Sequence, residues 1–131
     1  MKALALDLGD TWTGTALSDA LKIIATPHKT VKTVELIAFL KNITQTEQID
    51  TIVIGYPRTM RDTESLQTKK VVEQKEFIEK QFPNQKCILW DERLTSKVAK
   101  SIKPNKSKND STHEHSIAAA LILETYLQFL T

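Results

Sequence analysis

The sequence predicts an α/β domain, a mixed sheet with helices covering it. Three observations carry that prediction. Near the start, Leu4, Leu6 and Leu8 alternate with Ala3, Ala5 and Asp7, the period-two signature of a strand with one greasy face and one small-residue face ending in a carboxylate. In the middle, Thr51-Ile52-Val53-Ile54-Gly55 is a continuous β-branched run, as expected of a strand buried on both faces of a parallel sheet. Between and after these lie three stretches with helical periodicity, at Thr33–Gln48, from about Glu64 to Phe82, and at Ser111–Leu130.

Taken in order, Gly9, Asp10 and Thr11 read as a turn, and Thr13 to Ser18 as the returning strand of a hairpin. Lys22 to Val31 is a third strand, which Pro27 places at an edge or ends early. In the first helix Leu36, Ile37, Leu40 and Ile43 recur at three- and four-residue steps, with Thr33 as its N-cap. Tyr56-Pro57-Arg58 closes the central strand, because proline cannot donate to a ladder. The second helix carries Val71, Ile78 and Phe82 on one stripe, shows Lys69, Lys70 and Lys75 to water, and stops at Pro83-Asn84. Lys86 to Trp90 is a short strand with Asp91-Glu92-Arg93 at its end, and Leu94 to Ile102 a short helix. Lys103 to Asp110 is a polar loop. Ser111 and Glu114 match a capping box opening the last helix, whose Ala118-Ala119-Ala120 would let it lie close to a sheet. The order is βββ-α-β-α-β-α-α in a single domain spanning residues 1–131, with three antiparallel strands at its head.

Composition sets outer bounds. With 131 residues, 40% hydrophobic and 26% charged, the chain suits one globular domain and not a disordered one. No apolar run approaches the roughly 18 residues of a membrane span, and residues 1–8 do not read as a signal peptide, so a cytoplasmic, membrane-free protein is expected. Cys87 is the single cysteine, which excludes an intrachain disulfide and a cysteine-based zinc site. A net charge of +2 is too small to identify a nucleic-acid partner, so charge placement matters more. Lys97 to Lys108 holds five lysines and no acid, which fits neutralisation of a phosphate backbone, with a solvated loop and helix face as the plainer alternative.

Two carboxylate groups fall at predicted strand ends, Asp7 after the first strand and Asp91-Glu92 after the last. Sites in α/β sheets form at the carboxyl ends of strands. With one strand between them, the two backbones would stand roughly 10 Å apart. Inward-pointing carboxylates at that spacing suit a pair of hard cations gripping the attacking and leaving oxygens of a phosphodiester. The ordinary alternatives are an Asp7 that hydrogen-bonds its own turn and a Glu92 in a surface ion pair.

Several motifs then make the chain resemble the YqgF/RuvX family, described both as Holliday-junction resolvases and as pre-16S rRNA nucleases. The family opening, D-x-G-x-x-R-x-G-x-A-x-S-D, is matched from Asp7 through Gly9, Gly14, Ala16 and Ser18 to Asp19. V-G-x-P is Ile54-Gly55-Tyr56-Pro57, D-E-R-x-T is Asp91-Glu92-Arg93-Leu94-Thr95, and D-x-I-A-A-x-x-I-L is His115 through Leu123. The resemblance covers nearly the whole chain. It implies an RNase H-like fold, a five-stranded mixed sheet with three antiparallel strands followed by two parallel ones, flanked by helices. It also implies a nuclease that cuts phosphodiesters with Mg²⁺ or Mn²⁺. By motif, Asp7 and Glu92 would be metal-binding acids with Asp91 nearby, and the catalytic set would be Asp7, Glu92 and His115.

Three positions depart from the family pattern. His115 stands where the third acid is expected, and imidazole is a softer, neutral ligand. It shares a helix face with Ala118, Ala119 and Ile122, whereas His113 points elsewhere; metal or phosphate contact and a polar residue tucked at a helix start are both open for it. Trp12 replaces the motif arginine, exchanging a bidentate phosphate donor for a ring that can stack on an unpaired base or pack on a neighbour. Asp62 replaces a loop glycine. Arg58, Arg61 and Arg93, with Lys97, Lys103 and Lys106, are the remaining candidate contacts to nucleic acid.

The leading expectation is therefore metal-dependent hydrolysis of structured RNA, most specifically the 5′ end of precursor 16S rRNA. The alternatives are cleavage of a branched DNA junction, or nucleic-acid binding by a catalytically impaired protein. The chain is expected to work as a monomer or a homodimer.

Overall fold

The computed structural model describes residues 1–56, 66–91 and 111–130. Its strands are β1 (Lys2–Asp7), β2 (Trp12–Ser18), β3 (Ala25–Lys32), β4 (Ile49–Tyr56) and β5 (Lys86–Asp91). Its helices are α1 (Leu36–Thr46), α2 (Leu66–Gln81) and α3 (Ser111–Leu130), with a 3₁₀ turn over Thr33–Glu35. The strands form one sheet in the order β3-β2-β1-β4-β5. β1 pairs antiparallel with β2, and β2 with β3, while β4 runs parallel to β1 and β5 parallel to β4. This is the expected mixed sheet, with β1 in the middle. β4 separates β1 from β5, the spacing expected between the two carboxylate-bearing strand ends.

The alternation read in β1 is the division of the whole core. Leu4, Leu6 and Leu8 join Ile52 and Ile54 beneath Leu36, Leu40 and Ile43 of α1 and Val71 and Ile78 of α2. Ala3, Ala5, Ala16 and Val53 meet Ala119, Ile122, Leu123, Tyr126 and Leu127 of α3. Each large aliphatic side chain removed from water this way contributes about 1.5–3 kcal/mol. Of the three alanines expected against the sheet, Ala119 alone is fully buried and Ala120 packs at the margin.

Several boundaries differ from expectation. The third strand starts at Ala25 and not Lys22, because Asp19 to Ile24 form a clasped loop. The Asp19 carboxylate accepts the amides of Ile23 (2.7 Å) and Ile24 (2.9 Å), and those donors, Ile24 first, hold its pKa below the usual carboxylate range. Lys22 takes a left-handed φ of 58° in the same loop. The adjacent Ser18 hydroxyl accepts the Ala3 amide at 2.7 Å, so Ser18 ties the end of β2 to the start of β1 while Asp19 clasps the loop. Pro27 sits on edge strand β3, as predicted. Thr33 is not the N-cap of α1. The helix begins at Leu36 without a side-chain cap, and the Thr33 hydroxyl instead donates to the Gly9 carbonyl at 2.7 Å. At the other end α1 stops at Thr46, with Gln48 left-handed at φ 52°.

In α2, Lys69 and Lys70 are exposed as expected, but Lys75 is half-buried against Glu79 at 2.7 Å. β5 includes Asp91 as its last residue. The predicted Leu94–Ile102 helix, the Lys103–Asp110 loop, and the Ser111 side chain of the capping box lie outside the described residues.

Candidate active site

Asp7 is the last residue of the central strand, and its surroundings explain why a helix can reach it. Its register partner on β2 is Gly14. On β4, Gly55 follows the Leu6–Ile54 pair by one step. Asp7 therefore rises from a floor with a glycine on either side. A Cβ on Gly14 would run into the backbone carbonyl of His115 and stand 2.7 Å from the Ser116 amide nitrogen. No described glycine has a positive φ, so Gly14 is required for closeness and not for conformational freedom. Gly9 is similar: a Cβ there would strike the Trp12 carbonyl and lie 3.9 Å from His115 Cε1.

The helix admitted by Gly14 delivers His115 to Asp7. His115 Nδ1 lies 3.4 Å from Asp7 Oδ2, with 36% of the imidazole and 22% of the carboxylate side chain exposed. The pair is half-sheltered yet open to a ligand. Two donors bound to one cation at ordinary metal–ligand lengths sit roughly 3–3.5 Å apart, so this spacing fits a shared divalent ion. Carboxylate plus imidazole is a donor set that Mn²⁺ and other transition ions accept readily, and Mg²⁺ less so. Among the described residues no group of three or more His, Cys, Asp and Glu side chains converges; the described site holds these two donors.

Asp91 is placed differently. Trp90 lies on the α3 face, where its indole N–H donates to Thr125 Oγ1 at 2.8 Å and its ring meets Tyr126 edge-on at 5.4 Å. Alternation then puts Asp91, the register partner of Tyr56, on the α1/α2 face with Cys87 and Leu89, opposite to Asp7. Trp12, half-buried at the start of β2, shares the Asp7 face through Gly14 and Ala16. Glu92, Arg58, Arg61, Arg93, Lys97, Lys103 and Lys106 lie outside the described residues, as do Asp62, Asp110 and the His113 side chain.

Two features were missed by reading the sequence. One is the pair of glycines flanking Asp7, which a glycine inside a strand can signal through close backbone approach. The other is Lys32, the register partner of Trp12, which nothing in a linear sequence connects to it. A separate cleft of about 490 Å³, lined by Leu8, Gly9, Asp10, Val34, Lys70 and Phe77, opens on the large-residue side of the sheet and is not where the donors meet.

Known proteins resemble this chain along its full length. A protein of Rubrobacter xylanophilus named "Putative pre-16S rRNA nuclease" is 33% identical over 128 residues, covering 97% of this chain and 92% of its own. One of the same name from Christiangramia forsetii is 38% identical over 132 residues, covering 96% and 97%. Among solved structures, Thermus thermophilus RuvC in complex with a Holliday junction substrate matches with a TM-score of 0.59 at 14% identity, covering 100% of this chain and 97% of that one. A second Thermus thermophilus RuvC structure matches with a TM-score of 0.57 at 13% identity, covering 100% of this chain and 98% of that one. The fold is thus RNase H-like, as the motifs implied. The family model described as RuvX, Holliday junction resolvase, matches residues 1–129, and this chain belongs to that family.

Proposed function

We propose that this protein is a divalent-metal-dependent nuclease that hydrolyses phosphodiesters in structured nucleic acid, with 5′-end processing of precursor 16S rRNA in the cytoplasm as its task. The observation that carries the reading is the Asp7–His115 pair at the end of the central strand, in a chain of the RuvX family with relatives named as pre-16S rRNA nucleases. Asp7 supplies a carboxylate to Mg²⁺ or Mn²⁺. Glu92, the acid that the D-E-R-x-T motif places next in sequence to Asp91, supplies the second. When bound, the cations would stabilise charge on the phosphodiester and lower the pKa of water. His115, with Nδ1 turned toward Asp7, would act as third ligand through that nitrogen or as carrier of a proton. Arg58, Arg61 and Arg93, with Lys97, Lys103 and Lys106, would neutralise the backbone of the bound strand.

A second reading, resolution of branched DNA, is favoured by the family's description and by the junction bound to RuvC. The test is to offer purified protein a labelled precursor 16S rRNA fragment and a four-way DNA junction, with Mn²⁺, with Mg²⁺ and with EDTA. The expected result is metal-dependent cutting of the RNA, reduced to background in Asp7→Asn, a larger loss than the roughly 10–100-fold typical of groups outside the metal's own ligands. Undiminished cutting by Asp7→Asn would remove Asp7 from the chemistry. Cutting of the junction alone would select the resolvase reading, and binding of either substrate with no product would mark a protein that has lost catalysis.

A further inference from the structure

Trp12 and Lys32 face each other across the β2–β3 pair at the same end of the sheet as Asp7. Directly opposed residues on antiparallel strands point to one face, with Cβ atoms about 4.5–5.5 Å apart. That face is identified twice over. Ala16, on the same side of β2 as Trp12, packs under α3, and Val31, which precedes Lys32, packs on the opposite side with the large aliphatic core. Trp12 and Lys32 thus share the surface onto which His115 and Asp7 open, roughly 7 Å along β2 from Gly14.

The pair is also held still. The Thr33 amide donates to the Thr11 carbonyl at 2.9 Å, and the Thr33 hydroxyl donates to the Gly9 carbonyl at 2.7 Å. Since that hydroxyl's one proton is used, it accepts from Thr13 Oγ1, 2.9 Å away and fully buried. These bonds tie the residue after Lys32 to the turn before Trp12. Lys32 is exposed, and among the described residues it has no ion pair to compete for its ammonium group. Trp12 is half-buried.

We infer that Trp12 and Lys32 form a two-strand contact for one unpaired nucleotide of the substrate, the indole stacking on the base and the ammonium neutralising its phosphate. The position of Trp12 is where the family motif has an arginine, which joins a flat surface and a charge in one side chain. Here the two properties are divided between neighbouring strands. The inference rests on the nuclease reading and adds a substrate feature to it, an unpaired nucleotide beside the scissile site.

The experiment is equilibrium binding in EDTA, so that catalysis plays no part. The probes are a fluorescein-labelled RNA hairpin with a single-stranded 5′ overhang, the same hairpin blunt-ended, and a DNA version of the overhang, each at several salt concentrations. Trp12→Ala should weaken overhang binding about tenfold or more while leaving the blunt hairpin and the salt slope unchanged. Trp12→Phe should recover most of the loss. Lys32→Ala should weaken binding and make the slope of log Kd against log salt shallower by about 0.7–1, and Lys32→Arg should restore the slope. A wild-type protein that prefers the overhang but is indifferent to Lys32→Ala or Trp12→Ala overturns the contact and leaves the nuclease reading standing. Equal binding of blunt and overhang probes also overturns the contact. A wild-type protein that binds none of the probes overturns the contact, while the nuclease reading stands or falls on cleavage in Mn²⁺ and Mg²⁺. Equal affinity for RNA and DNA overhangs supports recognition through base face and phosphate, and a preference confined to RNA supports the contact only if both variants reduce it.

Discussion

The two faces of the central sheet are built from opposite materials and do opposite jobs. Beneath α1 and α2, β1 contributes two leucines and β4 three isoleucines, and the layers are held apart by their bulk. Beneath α3, the same strands contribute Ala3, Ala5 and Val53, β2 contributes Gly14 and Ala16, and the helix backbone settles directly onto Gly14. The large-residue face supplies most of the apolar burial. The small-residue face gives up burial for proximity, and proximity is what brings a side chain from the last helix to a carboxylate on the first strand. Stability and chemistry are thus divided between two sides of one strand.

Substitutions on each face should separate those jobs. Leu6→Ala removes a fully buried side chain from the large-residue face and should cost about 2–5 kcal/mol, read as a lower denaturant midpoint, with cleavage per folded molecule retained. Gly14→Ala should cost about 3 kcal/mol or more, because its methyl group would meet α3 backbone and not a yielding side-chain tip, and relief requires a shift of α3 away from the sheet. That shift would separate His115 from Asp7, so activity should fall more than stability. If Gly14→Ala keeps full activity, proximity is not what the small face provides. His115→Asp restores the residue type of the family motif and should move metal preference toward Mg²⁺, by on the order of tenfold or less, measured as the ratio of rates in Mg²⁺ and Mn²⁺ and as metal-induced change in melting temperature. An unchanged ratio would place His115 outside the metal's ligands.

The smallest expected effect lies far from both faces. Asp19, through its loop amides, and Glu47, through Lys2 at 2.6 Å, have pKa values held below the ordinary carboxylate range in the folded protein. Unfolded, they take up protons at ordinary values. Their contribution is therefore complete above that range and is lost as pH falls below it. Denaturant midpoints should decline between about pH 5 and pH 3, and Asp19→Asn should flatten the decline. A decline identical in that variant would assign the acid sensitivity to other groups.

Much of this was legible before any coordinates. The alternation of Leu4, Leu6 and Leu8 with Ala3, Ala5 and Asp7 named both cores correctly, because side-chain direction in a strand has a strict period of two. The parallel setting of β4 followed from its unbroken β-branched run. Thr33 was misread because a threonine ahead of an apolar helix resembles an N-cap, and its hydroxyl found a distant turn instead. The acidic strand end was legible as a group, but Asp91 was separated from Asp7 only once Trp90 had claimed the α3 face.

By itself, then, the amino-acid sequence determined the element types, the two-faced character of β1, the family motifs and the presence of histidine at a position where an acid is expected. Those are local properties, set by periodicity and by residue chemistry within a few positions. Only the tertiary structure decided that Gly14 lies under His115, that Asp7 meets that imidazole across 108 residues of chain, and that Lys32 stands beside Trp12. Such juxtapositions depend on strand register and on how closely a helix can approach a sheet, and neither is fixed until the layers pack.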